Sequence, residues 1–264
     1  LEEVSKKASI TDISEIVAVV NSGNGIEKEA DLEKKFVEQK KRCETLLVQS
    51  LENAIEERTL TALEEAMNLA ESAHHFSEKE HLLQRIRATI LDLKLSTLTV
   101  EDMDPSKAIP IIASGLKLPT EDLEQIDGLV DKFHDIKQSL EARLEALLDH
   151  DISLATEERT LGTLKETCGL AKKAHDFGRK RELIASADTM MALLSLEETL
   201  QAVPPSSPVG DIIPVVQKGM QVQSDLQRLD GLAETFQDLK NTLETRLDED
   251  IAHAVAGRDL ATLH

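Results

Sequence analysis

The chain has 264 residues, with 50 acidic against 30 basic side chains, a formal net charge of -20, five Phe, and no Tyr or Trp. No apolar run is long enough for a membrane span, and a hydrophobic fraction of 41% is too high for a disordered chain. The acidity argues against nucleic acid, anionic membranes and acidic protein tails as main partners, and it favours basic protein partners.

The apolar periodicity predicts helices at 11–22, 29–57, 60–75, 78–95, 105–117, 121–157, 161–176, 179–198, 208–220, 223–256 and from 260 onward. Several starts carry capping chemistry. Thr59, Thr160 and Asp259 stand at one recurring position and are good N-cap types. Ser77-x-x-Glu80 has the spacing of a capping box. Asp104-Pro105 and Ser207-Pro208 read as N-cap plus first-turn proline, and Thr120 as the cap of the 121–157 helix. That helix would be about 55 Å long at 1.5 Å per residue. It keeps Leu123, Ile126, Leu129, Val130, Phe133, Ile136, Leu140, Leu144, Leu147 and Leu148 on one face. Gly128 and Gly231 fall inside helical patterns and are expected to permit close helix contact.

The chain repeats itself. Glu56-Glu57-Arg58-Thr59-Leu60 recurs as Glu157-Glu158-Arg159-Thr160-Leu161, 101 positions on, and Gly257-Arg258-Asp259-Leu260 opens a third copy. Upstream, Phe36, Lys40, Cys43, Glu44 and Leu47 correspond to Phe133, Lys137, Leu140, Glu141 and Leu144, then to Phe236, Lys240, Leu243, Glu244 and Leu247. The middle copy has four extra residues, about one helical turn, which preserves the apolar face. The recurring element is a short helix, a long helix and a helical hairpin whose first arm carries Ala62, Ala66, Ala70 and Ala73. The expected division is 1–103, 104–206 and a truncated 207–264, and the chain reads as a segment of a longer protein.

The segments 58–76 and 159–177 share Arg-Thr-Leu-x-x-Leu-x-x-x-x-x-x-Ala-x-x-Ala-His-x-Phe. This resembles the helical-hairpin repeats of large axonemal and cytoskeletal scaffold proteins, where Arg-Asp-Leu-x-x-Leu leads to a second helix of the type Leu-Ile-x-x-Ala. Arg258-Asp259-Leu260 and Leu183-Ile184-x-x-Ala187 fit that description. The resemblance covers the hairpins and implies a structural part of a large assembly, with no catalytic residues to carry over. The unit length also resembles that of spectrin repeats, from which the missing Trp and the fourth helix depart.

Chemistry-bearing clusters are few. His74, His75 and His81 with Glu78 and Glu80 match no zinc spacing and read as hairpin packing or capping. Asp102-x-Asp104-x-Ser106 lacks the glycine and the final Glu of a calcium loop. Cys43 and Cys168 form no CxxC pair and suit a reducing compartment. Two basic runs interrupt the acidic background: Lys34, Lys35, Lys40, Lys41 and Arg42, and Lys172, Lys173, Arg179, Lys180 and Arg181. The second is set against Glu71, Ser72, Glu78 and Glu80 in the first copy and is the candidate surface for an acidic partner.

These features predict an all-α chain of tandem helical repeats of about 100 residues, stacked as an elongated solenoid or rod. The expected function is a non-enzymatic structural scaffold, cytoplasmic and cytoskeletal, in a cilium or flagellum in its most specific form. Its partners would be other proteins of a large assembly, with no nucleic acid, membrane, small-molecule substrate, cofactor or metal. The alternative is an α-solenoid adaptor that grips a peptide in a groove.

Overall fold

The computed structural model of the chain describes residues 10–22 and 30–257. It divides into two compact units, 1–140 and 141–264. In the first lie α1 (Ile10–Ser22), α2 (Ala30–Glu57), α3 (Leu60–Ser72), α4 (Lys79–Leu95), α5 (Pro105–Gly115) and the single turn α6 (Thr120–Leu123). Helix α7 (Leu129–Glu158) begins in the first unit and ends in the second. The second unit continues with α8 (Leu164–Lys173), α9 (Lys180–Ala202), α10 (Val209–Gln221), a 3₁₀ helix (Gln223–Arg228) and α11 (Leu232–Gly257). No strand occurs among the described residues. The third hairpin opening and its cap Asp259 lie outside them, as do the side chains of Lys34 and Lys35.

The all-α expectation holds, but the elongated solenoid or rod of tandem repeats does not. Helices distant in sequence pack together: α1 on α3, α2 on α4 and α4 on α6 in the first unit, and α9 on α11 in the second. Each unit is a packed globular bundle. The second hairpin arms are the physical reason. Helix α4 buries Leu82, Leu83, Ile86, Ala88, Thr89, Ile90, Leu91 and Leu95, and α9 buries Leu183, Ala187, Met190, Leu193, Leu194, Leu196 and Leu200. Such helices are apolar on most sides and sit among several neighbours, whereas an outer layer needs a single stripe. The first unit's core joins Ile13, Val17 and Val20 of α1 to Cys43, Leu47 and Leu51 of α2, and to Leu63, Ala66, Ala70, Phe76 and Ile86 of the hairpin.

The two long helices are shorter than their apolar pattern. The stretch 121–157 breaks after α6, and 223–256 opens as a 3₁₀ helix before α11. Gly128 and Gly231 cause both breaks, with φ of 75° and 78°, a left-handed conformation that costs glycine nothing. An added Cβ at either would meet nothing within 4 Å, so neither serves a close helix contact. That role falls to Gly115 and Gly219, where a Cβ would collide with the rings of Phe133 and Phe236.

Caps divide likewise. Thr59 accepts the Ala62 N–H at 3.3 Å, and Asp104 accepts that of Ser106 at 2.9 Å. The other expected caps are displaced: the N-cap positions of α4, α6, α8 and α10 are Glu78, Pro119, Thr163 and Pro208, none with a side-chain cap bond. Gly162, at φ 38°, follows Thr160 and delays α8 by a turn.

Candidate functional site

Both hairpins are tied to the long helix beneath them by the same contacts. His74 lies 3.0 Å from a Glu44 carboxylate oxygen, and His175 lies 2.6 Å from one of Glu141. A carboxylate can only accept, so Nε2 is the donor in each. Each imidazole also meets the following phenylalanine edge-on, with 6.4 Å between centroids for His74 with Phe76 and for His175 with Phe177. The turn leaves backbone carbonyls without helical partners, and such groups need donors. Lys79 donates to the Ala73 carbonyl at 2.6 Å, and Lys180 donates to the Ala174 carbonyl at 2.5 Å.

The candidate basic surface 172–181 is built on this turn. Lys172 reaches Asp188 on α9 at 2.7 Å, which raises its pKa. The Arg179 guanidinium bonds Asp149 at 2.9 Å and Glu182 at 3.1 Å, and its backbone N–H bonds Glu145 at 3.0 Å. Hydrogen bonds to Glu182 and Asp149 hold Arg179 still further toward its charged form. Lys180 lies 5.8 Å from the centroid of the Phe177 ring while it serves the turn carbonyls. Arg181 is almost fully solvent-exposed beside Asp176. Lys173 is exposed, and among the described residues no carboxylate pairs with it. Each of the other cations thus meets a group of its own chain, and Lys173 and Arg181 face solvent most freely. Lys180 also recurs: its counterpart is Lys79, with the same carbonyl contact, so it belongs to the frame of the turn and not to a unit-specific surface.

No protein-family model, curated protein or solved structure matches the chain.

The matching turn of the first unit carries the opposite charge. Glu78 replaces Arg179, and Val48 and Glu52 replace Glu145 and Asp149. With no arginine laid across it, this surface is a groove of about 450 Å³, lined in part by Lys41, Val48, Glu52, Phe76 and Glu78. A second groove, of about 650 Å³, lies in the other unit beside Arg159, Leu194 and Glu197.

Among the described residues, no group of three or more His, Cys, Asp and Glu is placed to hold a metal ion. His74 is spent on Glu44, and Asp104 on capping α5. Cys43 and Cys168 are free and buried, and burial pushes both thiols up, which opposes thiolate chemistry. No described helix is long and apolar enough to cross a membrane.

Sequence reasoning missed three recurring roles. Glu44 and Glu141 are the histidine acceptors, Lys79 and Lys180 the turn donors, and Arg58 and Arg159 the helix-ending residues at φ 52° and 55°. Those arginines reach Asp92 and Glu197 on the second hairpin arms. The signal for the lysines was present at the 101-residue offset. The arginine conformation had no local signal, because glycine or asparagine is the usual left-handed helix terminator.

Proposed function

We propose that this chain is a non-enzymatic scaffold segment of a large intracellular assembly, and that its mechanism is to present unlike surfaces on a common helical frame. One observation carries the reading. The two hairpin turns share their His–Glu, His–Phe and Lys–carbonyl contacts, yet one faces outward with Glu78 and Glu52 and the other with Arg179, Lys173 and Arg181. Side chains that hold the frame recur, and those that meet solvent differ in sign. Two buried free thiols suit an intracellular setting. The likeness of 58–76 and 159–177 to axonemal repeats makes a cilium, flagellum or related cytoskeleton the first assembly to examine.

The test is cross-linking mass spectrometry of the native assembly with the wild-type chain and with Lys173→Glu plus Arg181→Glu. These two residues are chosen because Arg179 and Lys180 have internal duties. The reading expects cross-links from 172–181 to an acidic neighbour, lost in the charge-reversed chain while its melting temperature holds. An unchanged cross-link set would remove the basic surface from the proposal. A second reading, a peptide-binding adaptor, draws on the open groove at Val48 and Phe76; an added peptide would then compete at that groove and not at 172–181.

A further inference from the structure

Helix α11 ends in a face that its counterparts keep covered. Leu247 is 36% exposed, Ile251 50% and Val255 67%, at spacings of four that set them on one stripe. At the places of Leu247 and Ile251 the other two copies have Leu47 and Leu51 of α2, and Leu144 and Leu148 of α7, all with 0% exposure, and at the place of Val255 they have the half-buried Ile55 and Ile152. In those copies the cover is a helical hairpin: α3 and α4 pack on α2. Over α7, Thr167 of α8 bonds the buried Asp151 at 2.6 Å, and His175 reaches Glu141. On α11 the first half is covered, with Phe236, Leu239 and Leu243 buried and α10 packed against it. Small Ala254 is buried beside the stripe, whose large residues are not.

A polar group repeats the pattern. Glu44 and Glu141 each receive a histidine from the hairpin turn. Glu244 occupies that same position on α11, yet among the described residues its ion-pair partner is Lys240 at 3.9 Å, and it is exposed. Apolar stripe and histidine acceptor are thus both in place, one turn apart, and among the described residues no hairpin follows α11 to use them.

We propose that Glu244, Leu247, Ile251 and Val255 form a docking seat for a helical hairpin of defined chemistry. Its first arm opens Arg-x-Leu-x-x-Leu and places leucine and small residues against the stripe. Its turn reads Ala-His-x-Phe and puts the histidine on Glu244. In α3 and α8 the buried side chains of that arm are Leu63, Ala66, Leu69 and Ala70, and Leu164, Thr167, Cys168 and Ala171. Small side chains there let the two helix axes approach closely. Residues 258–263, Arg-Asp-Leu-Ala-Thr-Leu, spell the opening motif.

The test adds a labelled synthetic peptide of residues 159–202 to the full 264-residue chain and measures fluorescence anisotropy and amide exchange. The expected result is saturable binding with slowed exchange over 243–255. Ile251→Lys should weaken binding at least tenfold while leaving the melting temperature of the free chain unchanged. Glu244→Ala should weaken it several-fold, with no further loss when His175→Ala is made in the peptide. Should the free peptide prove too unstructured to bind, the same segment grafted after Gly257 should protect 243–255, and Ile251→Lys should abolish that protection. The proposal is overturned by failure of both peptide and graft, or by protection that survives Ile251→Lys. Concentration-dependent self-association abolished by Ile251→Lys would overturn it too, by making a second copy the occupant. Failure here leaves the scaffold reading of 172–181 untouched, since different residues carry the two.

Discussion

Helices α2 and α11 carry identical or similar residues at the same spacing and end in different surroundings. Leu47 and Leu51 lie in the core of the first unit, while Leu247 and Ile251 face solvent. The periodicity of an apolar stripe therefore states what a helix can bury, and its neighbours decide whether it does. Burial of a leucine-sized side chain contributes about 1.5–3 kcal/mol, so the same substitution should behave differently at the two sites. Leu51→Ala and Leu148→Ala should each cost about 2–5 kcal/mol, because a cavity remains under the hairpin. Ile251→Ala should stay within about 0.5 kcal/mol. Denaturant midpoints measure all three, and an Ile251→Ala loss as large as that of Leu51→Ala would show that the α11 stripe is already buried in solution.

The polar anchors sharpen the same contrast. His74→Ala removes a buried ring and its hydrogen bond to Glu44, and His175→Ala removes a buried ring and its hydrogen bond to Glu141. Each should lose about 1–3 kcal/mol. Glu244→Ala should lose nothing measurable, because its side chain is exposed and 3.9 Å from its lysine. Thermal melts at one pH suffice. Equal losses at all three positions would mean that the histidine contacts add little beyond surface ion pairs.

Helix content and the matching positions of the copies were legible in the sequence, because the 3.6-residue period and the 101-residue offset are local or pairwise signals. The packing of the copies was not. Residues such as Ala88, Thr89 and Leu91 add further buried sides to α4, and no stripe analysis tells a helix surrounded by neighbours from one with a strong face and tolerated apolar residues elsewhere. The helix breaks at Gly128 and Gly231 were hidden for a different reason: leucine and phenylalanine on either side continue the period, while the backbone turns through a left-handed residue. The candidate basic surface was legible only as composition. Which cations are free depends on Asp149, Asp188 and Glu182, whose approach to Lys172 and Arg179 is a product of the fold.

The two kinds of glycine give a smaller contrast, of opposite sign. Gly128→Ala places a Cβ on a residue at φ 75° and should cost about 1 kcal/mol. Gly169 lies inside α8, and an added Cβ there meets nothing within 4 Å. Gly169→Ala should stabilise by about 0.5–1 kcal/mol, through helix propensity and a less flexible unfolded chain. Destabilisation by Gly169→Ala would show that a neighbour approaches α8 there more closely in solution.

The smallest expected effect separates α5 from α10, the two short proline-containing helices. Asp104 caps α5 and accepts from both the hydroxyl and the backbone N–H of Ser106, and these hydrogen bonds hold its carboxyl below the usual aspartate range. The N-cap position of α10 is Pro208, which offers no side-chain acceptor. A carboxyl with a lowered folded-state pKa adds stability above its unfolded pKa and loses it as pH falls through the folded one. Amide exchange at Ser106, Lys107 and Ala108 should therefore speed up on acidification, relative to α10, only once pH drops below the ordinary aspartate value. Asp104→Asn keeps an acceptor but removes the titration, so its α5 protection should be nearly independent of pH over that window. If the asparagine variant retained the wild-type acid response, the cap would not be its source, and α5 and α10 would begin under the same control.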